Sequence, residues 1–262
     1  GIAARQCVIV NLERRTKMAD YKYYNQRNYP NTPYPSPSSK TATVKSGGCG
    51  VCCGAMIVAN LTGQAVDIPA FARYCIKSGA RVSGGTDMRR LANVICLDYG
   101  LTYEMTNDSD RLLDHLSAGG MAVANVSGNR QGYIGVFSDS GHYVVAVAAE
   151  GKTLSILDPA LYAGKYNLAG RKGKVTVAGN VCRCDVSVLA KDVYGRTPAY
   201  YLFKRKEGYV VQDLTVSVKG QPVVVKAINY EGNNYVLLRD MPKLVPEIRI
   251  GYDEEHHMPK IE

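Results

Sequence analysis

A cysteine flanked by glycines, Gly48-Cys49-Gly50, stands directly before an apolar run of helical length at 51–59. The thiolate is the reactive form of cysteine, and both a helix N-terminus and a neighbouring imidazolium stabilise it. Glycines allow a substrate to approach the backbone closely and leave N–H groups free to bind an oxyanion. We therefore interpret Cys49 as a candidate nucleophile, with a small residue in a tight turn as the alternative.

A nucleophilic cysteine needs a base, and the chain contains four histidines. His256 and His257 lie near the C-terminus, and His115 lies in a short amphipathic segment, where a surface position is the simplest interpretation. His142 follows a glycine and opens an apolar segment typical of a strand. Asp158 ends the next such segment, so a hairpin between the two would bring its carboxylate beside His142, where it could orient the imidazole. The alternative for Asp158, which precedes a proline, is a plain turn.

The segments 46–56, 140–147 and 157–159 together resemble the nucleophile, base and orienting motifs of the bacteriocin-leader-peptidase superfamily. The resemblance covers roughly residues 22–205 and implies a papain-like cysteine peptidase fold with a triad of Cys49, His142 and Asp158. The family also uses a glutamine before the nucleophile as an oxyanion donor, and the resemblance assigns that role to Gln26. The usual Pro-Thr-Ser after the nucleophile is replaced here by Val-Cys-Cys at 51–53.

Apolar spacing and capping residues predict helices in the first half of the chain and strands after them. The predicted helices cover 49–59, 67–78, 86–97 and 109–117, and the predicted strands cover 121–126, 142–148, 153–157, 174–177 and 199–203. Prolines at 30–37 exclude helix and central strand there, so residues 20–45 are predicted to form an extended surface segment. This segregation indicates an α+β fold rather than a doubly wound sheet.

The charged segment 204–208 predicts a boundary between a domain at 1–206 and a small α/β module at 207–262. The module is predicted to contain strands at 214–218, 223–228 and 235–237, a turn at 231–234, a short helix and a terminal strand. Residues 223–240 and 250–253 resemble the stalk module named for copper amine oxidase N-termini. That resemblance implies cell-wall binding or homodimerisation and no copper; a packing domain without a ligand is the alternative.

The N-terminal segment suggests a later translation start. Residues 13–15, Glu-Arg-Arg, can be encoded by a purine-rich ribosome-binding sequence a few codons before Met18. Met18 is therefore a candidate true start. In either case we predict no signal peptide, since residues 1–10 are too short and too broken by polar residues to form one.

Charge and composition limit the classes of binding partner, cofactor and metal that we expect. The formal net charge is +9, which favours anionic partners such as wall polymers, but no nucleic-acid motif, phosphate-binding loop or apolar stretch long enough to span a membrane occurs. The eight cysteines are irregularly spaced and do not predict a disulfide framework. Cys49, Cys52, Cys182 and Cys184 could together hold zinc, but nucleophilic chemistry explains Cys49 better, so we predict no cofactor and no metal.

These observations predict a cysteine endopeptidase of the phage endolysin type. It would be synthesised in the cytoplasm and would cut peptide bonds of Gram-positive peptidoglycan at the cell wall. One alternative is a peptidase that processes proteins or leader peptides. A second alternative is a non-catalytic wall-binding protein.

Overall fold

The computed structural model describes residues 20–206, 210–230, 233–236, 240–247, 250–253 and 258–261. The candidate start at Met18, the histidines His256 and His257, and part of the predicted boundary at 204–208 lie outside these ranges.

Seven helices occur in the described ranges, in addition to 3₁₀ turns at Gln26–Asn28 and Lys165–Asn167. They are α1 (Val44–Gly47), α2 (Cys49–Thr62), α3 (Ile68–Lys77), α4 (Met88–Tyr99), α5 (Ser109–Ser117), α6 (Val186–Asp192) and α7 (Met241–Leu244). The side chains of Asp67 and Asp87 cap α3 and α4 by accepting backbone N–H groups. Short polar residues at these positions satisfy N–H groups that have no acceptor inside the helix.

The strands of residues 20–206 form a hairpin and a seven-stranded sheet. The hairpin pairs β1 (Arg81–Val82) with β2 (Gly85–Thr86). The sheet contains β3 (Leu101–Thr106), β4 (Met121–Val126), β5 (His142–Glu150), β6 (Thr153–Leu157), β7 (Thr176–Ala178), β8 (Val181–Asp185) and β9 (Tyr200–Arg205). Its order is β3-β9-β4-β5-β6-β8-β7, and every pairing is antiparallel.

Helix α2 is the centre of the core on one face of this sheet. All ten residues from Gly50 to Ala59 are buried, so the helix is apolar on every side. Gly50 is required by close packing, because a Cβ there would lie 2.5 Å from the Cβ of Thr86. The sequence of β5 is continuously apolar because both faces of the strand are buried. Val145 and Val147 face the cluster around α2, while Val144 faces a second cluster on the opposite side.

The α+β class is confirmed. The layout that the papain-like resemblance implies is also present, since a helix with the candidate nucleophile at its first residue packs on an antiparallel sheet that carries the candidate base. The helix predictions are confirmed with small shifts at their ends. For example, the helix predicted at 86–97 begins at Met88 with Asp87 as its cap, and Thr86 belongs to β2.

Several elements differ from the prediction. The segment 20–45 is not simply a surface segment, because Tyr34 is fully buried and its hydroxyl lies 2.9 Å from Thr86 Oγ1. The strand predicted at 174–177 is shorter and later, at 176–178. The prediction missed the short helix α1, the hairpin of β1 and β2, the strands β3 and β8, and helix α6.

The residues after 209 form separate sheets. Strands β10 (Val210–Val218), β11 (Gln221–Tyr230) and β12 (Asn233–Val236) make one antiparallel sheet, and β13 (Ile250–Asp253) pairs with β14 (Met258–Ile261). The turn predicted at 231–234 is therefore wrong at Asn233 and Asn234, which pair with β11; residues 231–232 lie outside the described ranges. The boundary near 206 and the role of this module stay predictions.

Candidate active site

Cys49 is the first residue of α2, where the amides have no acceptors inside the helix. Hydrogen bonding to the side chain of His142 and to the backbone at Tyr143 and Gly50 lowers the pKa of its thiol. The residue as a whole is partly exposed. Cys49 therefore combines access from solvent with several donors that favour its anionic form.

His142 is the first residue of β5 and pairs across the sheet with Val126 on β4. It is 8% exposed, and its Nε2 lies 3.0 Å from Oδ1 of Asp158. Because Nε2 is occupied by the carboxylate, Nδ1 is left for the thiol of Cys49. The structure thus brings His142 and Asp158 together, and their catalytic roles stay predictions.

Asp158 follows β6 directly, and the β5–β6 hairpin brings it to His142. It is fully buried, and its carboxylate accepts four hydrogen bonds. Oδ1 accepts from His142 and from the backbone N–H of Ala160, and Oδ2 accepts from Lys165 Nζ at 2.5 Å and from the Tyr166 hydroxyl at 2.7 Å. A buried carboxylate is stable only when it is paired in this way.

Lys165 and Tyr166 are functional candidates that the sequence did not reveal. Lys165 is only 4% exposed, whereas lysines are almost never buried without a partner. The two residues lie in a 3₁₀ turn within a polar loop that shows no periodic pattern. Their role depends on the return of that loop to Asp158, and no local signal could have indicated it.

The charges of the triad reinforce one another. Burial alone would raise the pKa of the Cys49 thiol, but the hydrogen bond and charge of His142 outweigh it and hold that pKa below its ordinary value. Burial would lower the pKa of His142, whereas bonds to Asp158 and Cys49 raise it to about 9. Burial would raise the pKa of Asp158, yet His142 and Lys165 hold it well below its usual range. The interaction between Cys49 and His142 thus favours the charged form of each.

We expect the nucleophile to show this ion pair in its pH dependence. The rate of Cys49 alkylation by iodoacetamide should already be high well below the ordinary cysteine pKa, and turnover should fall as pH rises through about 9, where His142 loses its proton. The direction of the change follows from the raised pKa of His142. Its protonated form, and the stability that this form contributes to the folded protein, is complete below about 6.5, its ordinary pKa, and is lost as pH rises towards about 9. Mass spectrometry of labelled peptides across pH measures this.

Cys96 is the internal control for that experiment. It is also partly exposed, but burial raises the pKa of its thiol to about 12. Its labelling should stay slow until strongly alkaline pH. Equal pH profiles for Cys49 and Cys96 would contradict the ion pair.

The other cysteines near the nucleophile are inert by the same reasoning. Cys52 and Cys53 are fully buried, and burial is the main cause of the rise in the pKa of each thiol. The Val-Cys-Cys sequence that departs from the family motif therefore belongs to the core of α2. All seven cysteines in the described ranges are free thiols.

Gln26 connects the residue after Asp158 with the segment that precedes Cys49. Its backbone N–H donates to the carbonyl of Pro159 at 2.7 Å, and its side-chain Nε2 donates to the carbonyl of Lys45, four residues before Cys49, at 2.8 Å. Its Oε1 is buried without a partner among the described residues. The structure thus brings Gln26 to the site, and its role as an oxyanion donor stays a prediction.

A second buried carboxylate fixes the loop that leads to His142. Asp192, fully buried at the end of α6, accepts the backbone N–H groups of Val136 and Phe137 and the hydroxyl of Tyr133. Buried Arg171 donates to the carbonyl of Gly135 at 2.9 Å. These bonds replace water for a loop without regular structure and so fix the approach to β5.

The four cysteines considered for zinc are divided between α2 and β8. Cys182 and Cys184 lie on β8, and no group of three or more histidine, cysteine or acidic residues in the described ranges is placed to hold a metal ion. None of the helices in these ranges combines the length and the apolar character needed to cross a bilayer.

No protein-family model matches the chain, and no curated protein matches it. Among solved structures, the chain is similar to the peptidase domain of Streptococcus ComA, described as a bifunctional ABC transporter involved in quorum sensing. That similarity has 15% identity and a TM-score of 0.38, and it covers 60% of this chain and 90% of that one. A second similarity is to a candidate C39-like peptidase from Bacillus anthracis, with 12% identity, a TM-score of 0.44, and coverage of 71% of this chain and 94% of that one.

Proposed function

We propose that this protein is a cysteine peptidase that uses Cys49 as nucleophile, His142 as base and acid, and Asp158 to orient His142. One observation carries the proposal: the imidazole of His142 lies 3.0 Å from the buried carboxylate of Asp158, and a hydrogen bond to the same imidazole lowers the thiol pKa of Cys49, a partly exposed residue at a helix start. This combination activates a thiol for attack on a carbonyl carbon.

The reaction follows from the positions of the protons. The Cys49 thiolate attacks the peptide carbonyl, and the oxyanion forms beside the backbone N–H of Cys49 at the start of α2, with Gln26 as the second donor. Protonated His142 then gives its proton to the leaving amine, and the acyl group remains on sulfur. A water molecule, deprotonated by His142, attacks the thioester and releases the acid.

For the substrate, we propose peptide bonds of Gram-positive peptidoglycan. The net charge of +9 supports this choice, because a basic protein is drawn to the polyanionic wall. The C-terminal module would then serve in wall attachment or dimerisation. Processing of leader peptides is the competing use of the same site, and the two uses differ in substrate, not in chemistry.

The test is to identify the bond that is cut. The protein should release new amino termini from purified Gram-positive walls, and mass spectrometry of a quenched reaction should find the acyl group on Cys49. Release only from leader-type peptides would reject the wall substrate and keep the peptidase. Acylation at another residue, or no cleavage of walls or peptides while Cys49 reacts rapidly with iodoacetamide, would reject the peptidase itself.

A further inference from the structure

Arg196 is a cation beside the triad that the mechanism does not use. Its Nη2 donates to the carbonyl of Val126 at 3.3 Å, and Val126 is the residue paired with His142 across the sheet. Nη2 also lies 2.9 Å from the position of a Cβ at Gly141, so this glycine gives the guanidinium room next to His142. Arg196 is thereby held by a bond to β4 and lies next to Gly141, the residue before His142.

Arg196 and Cys49 both act electrostatically on the hydroxyl of Tyr143. Burial is the main cause of the raised pKa of the Tyr143 hydroxyl; the charge of Cys49 adds to the rise and that of Arg196 opposes it. Both groups are therefore within electrostatic range of a single phenol. Hydrogen bonding to the backbone at this tyrosine also favours the thiolate of Cys49.

Arg196 has unused binding capacity. Within the described ranges it forms no ion pair with a carboxylate, and its Nε is buried with no acceptor. The side chain as a whole is only half-buried. A guanidinium with five donors that uses one of them on a long backbone bond is suited to an incoming carboxylate.

We propose that Arg196 forms a carboxylate subsite beside the triad, so that the preferred substrate carries an acidic group next to the bond that is cut. Since Arg196 flanks His142, which protonates the leaving amine, the acidic group belongs to the leaving-group residue. The assignment of a leaving group rests on the proposed peptidase function, whereas the anion preference of the site does not.

A pair of alkylating reagents tests the subsite without any peptidase activity. Iodoacetate and iodoacetamide have nearly the same size, but only iodoacetate carries a carboxylate. The ratio of their rates at Cys49 cancels the intrinsic reactivity of the thiol. Arg196→Gln should lower the ratio of iodoacetate to iodoacetamide rates by about fivefold or more, and Arg196→Lys should keep most of it.

Arg73→Gln, at an exposed arginine on α3, is the matched control for the loss of one positive charge and should change the ratio by less than about twofold. An equally small change in Arg196→Gln would overturn the subsite. In peptides that differ only by glutamate or glutamine after the scissile bond, the wild type should prefer glutamate by about tenfold in kcat/KM, and Arg196→Gln should bring the preference towards one.

The two assays separate the two claims. If the alkylation ratio falls in Arg196→Gln but the wild type cuts neither the peptides nor purified walls, the subsite stands and the peptidase proposal fails. If both peptides are cut and the alkylation ratio does not depend on Arg196, the peptidase stands and the subsite is wrong.

Discussion

Replacing Cys49 by alanine should lower peptide-bond cleavage by about four orders of magnitude or more, because no other group can form the covalent intermediate. The fold should persist, since the change removes one partly exposed sulfur from the start of α2 and leaves the buried face of the helix intact. The measurement is the initial rate of release of new amino termini from walls or peptides. Circular dichroism and urea unfolding of the same sample report the fold.

Cys52→Ala is the matched control, one helical turn further along α2. Its thiol is buried, and burial raises its pKa, so it takes no part in the chemistry. This variant should keep activity within a few-fold while losing about 1 kcal/mol of stability from the smaller side chain. Cleavage that survives Cys49→Ala and fails in Cys52→Ala would show that Cys49 is not the nucleophile and would reject the triad assignment.

Lys165→Met should give the largest loss of stability among the site variants. Methionine preserves the length of the side chain but leaves Asp158 without the cation that lies 2.5 Å from its carboxylate. Removing one partner of a buried ion pair lowers the free energy of unfolding by about 3–5 kcal/mol. Urea unfolding at neutral pH should therefore show a much lower midpoint with an unchanged slope.

The pH dependence gives this prediction a second readout. The folded-state pKa of Asp158 is depressed, so its stabilising contribution is present above its ordinary pKa, near about 4, and is lost as pH falls below that value. Without Lys165 the depression is smaller, and the gap in stability between wild type and variant should narrow in acid. A gap that is constant with pH would indicate a packing effect rather than a charge effect.

Lys174→Met serves as the control on an exposed lysine of the same segment, and its effect on stability should be near zero. Tyr166→Phe removes a neutral donor to the same oxygen of Asp158. It should cost about 1–2 kcal/mol, between the other two variants. A loss of stability in Lys174→Met as large as in Lys165→Met would show that the buried ion pair has no special role in stability.

The sequence by itself determined the parts of the site that depend on local pattern. Glycines before an apolar run fixed Cys49 at a helix start, and a histidine at the head of an apolar strand marked the base. A hairpin of defined length then brought Asp158 to that base, because antiparallel pairing sets which residues lie opposite each other. Helix starts, strand alternation and short hairpins involve neighbours in the chain, so their signals are readable there.

Only the tertiary structure decided the rest. Lys165, Tyr166 and Arg196 lie in polar loops whose sequence is typical of exposed turns, and their positions depend on the sheet order and on the return of these loops to the triad. The same holds for Tyr34, which the proline-rich segment buries against Thr86. A loop residue gains its role from partners far along the chain, and a single sequence contains no periodic signal for such a contact.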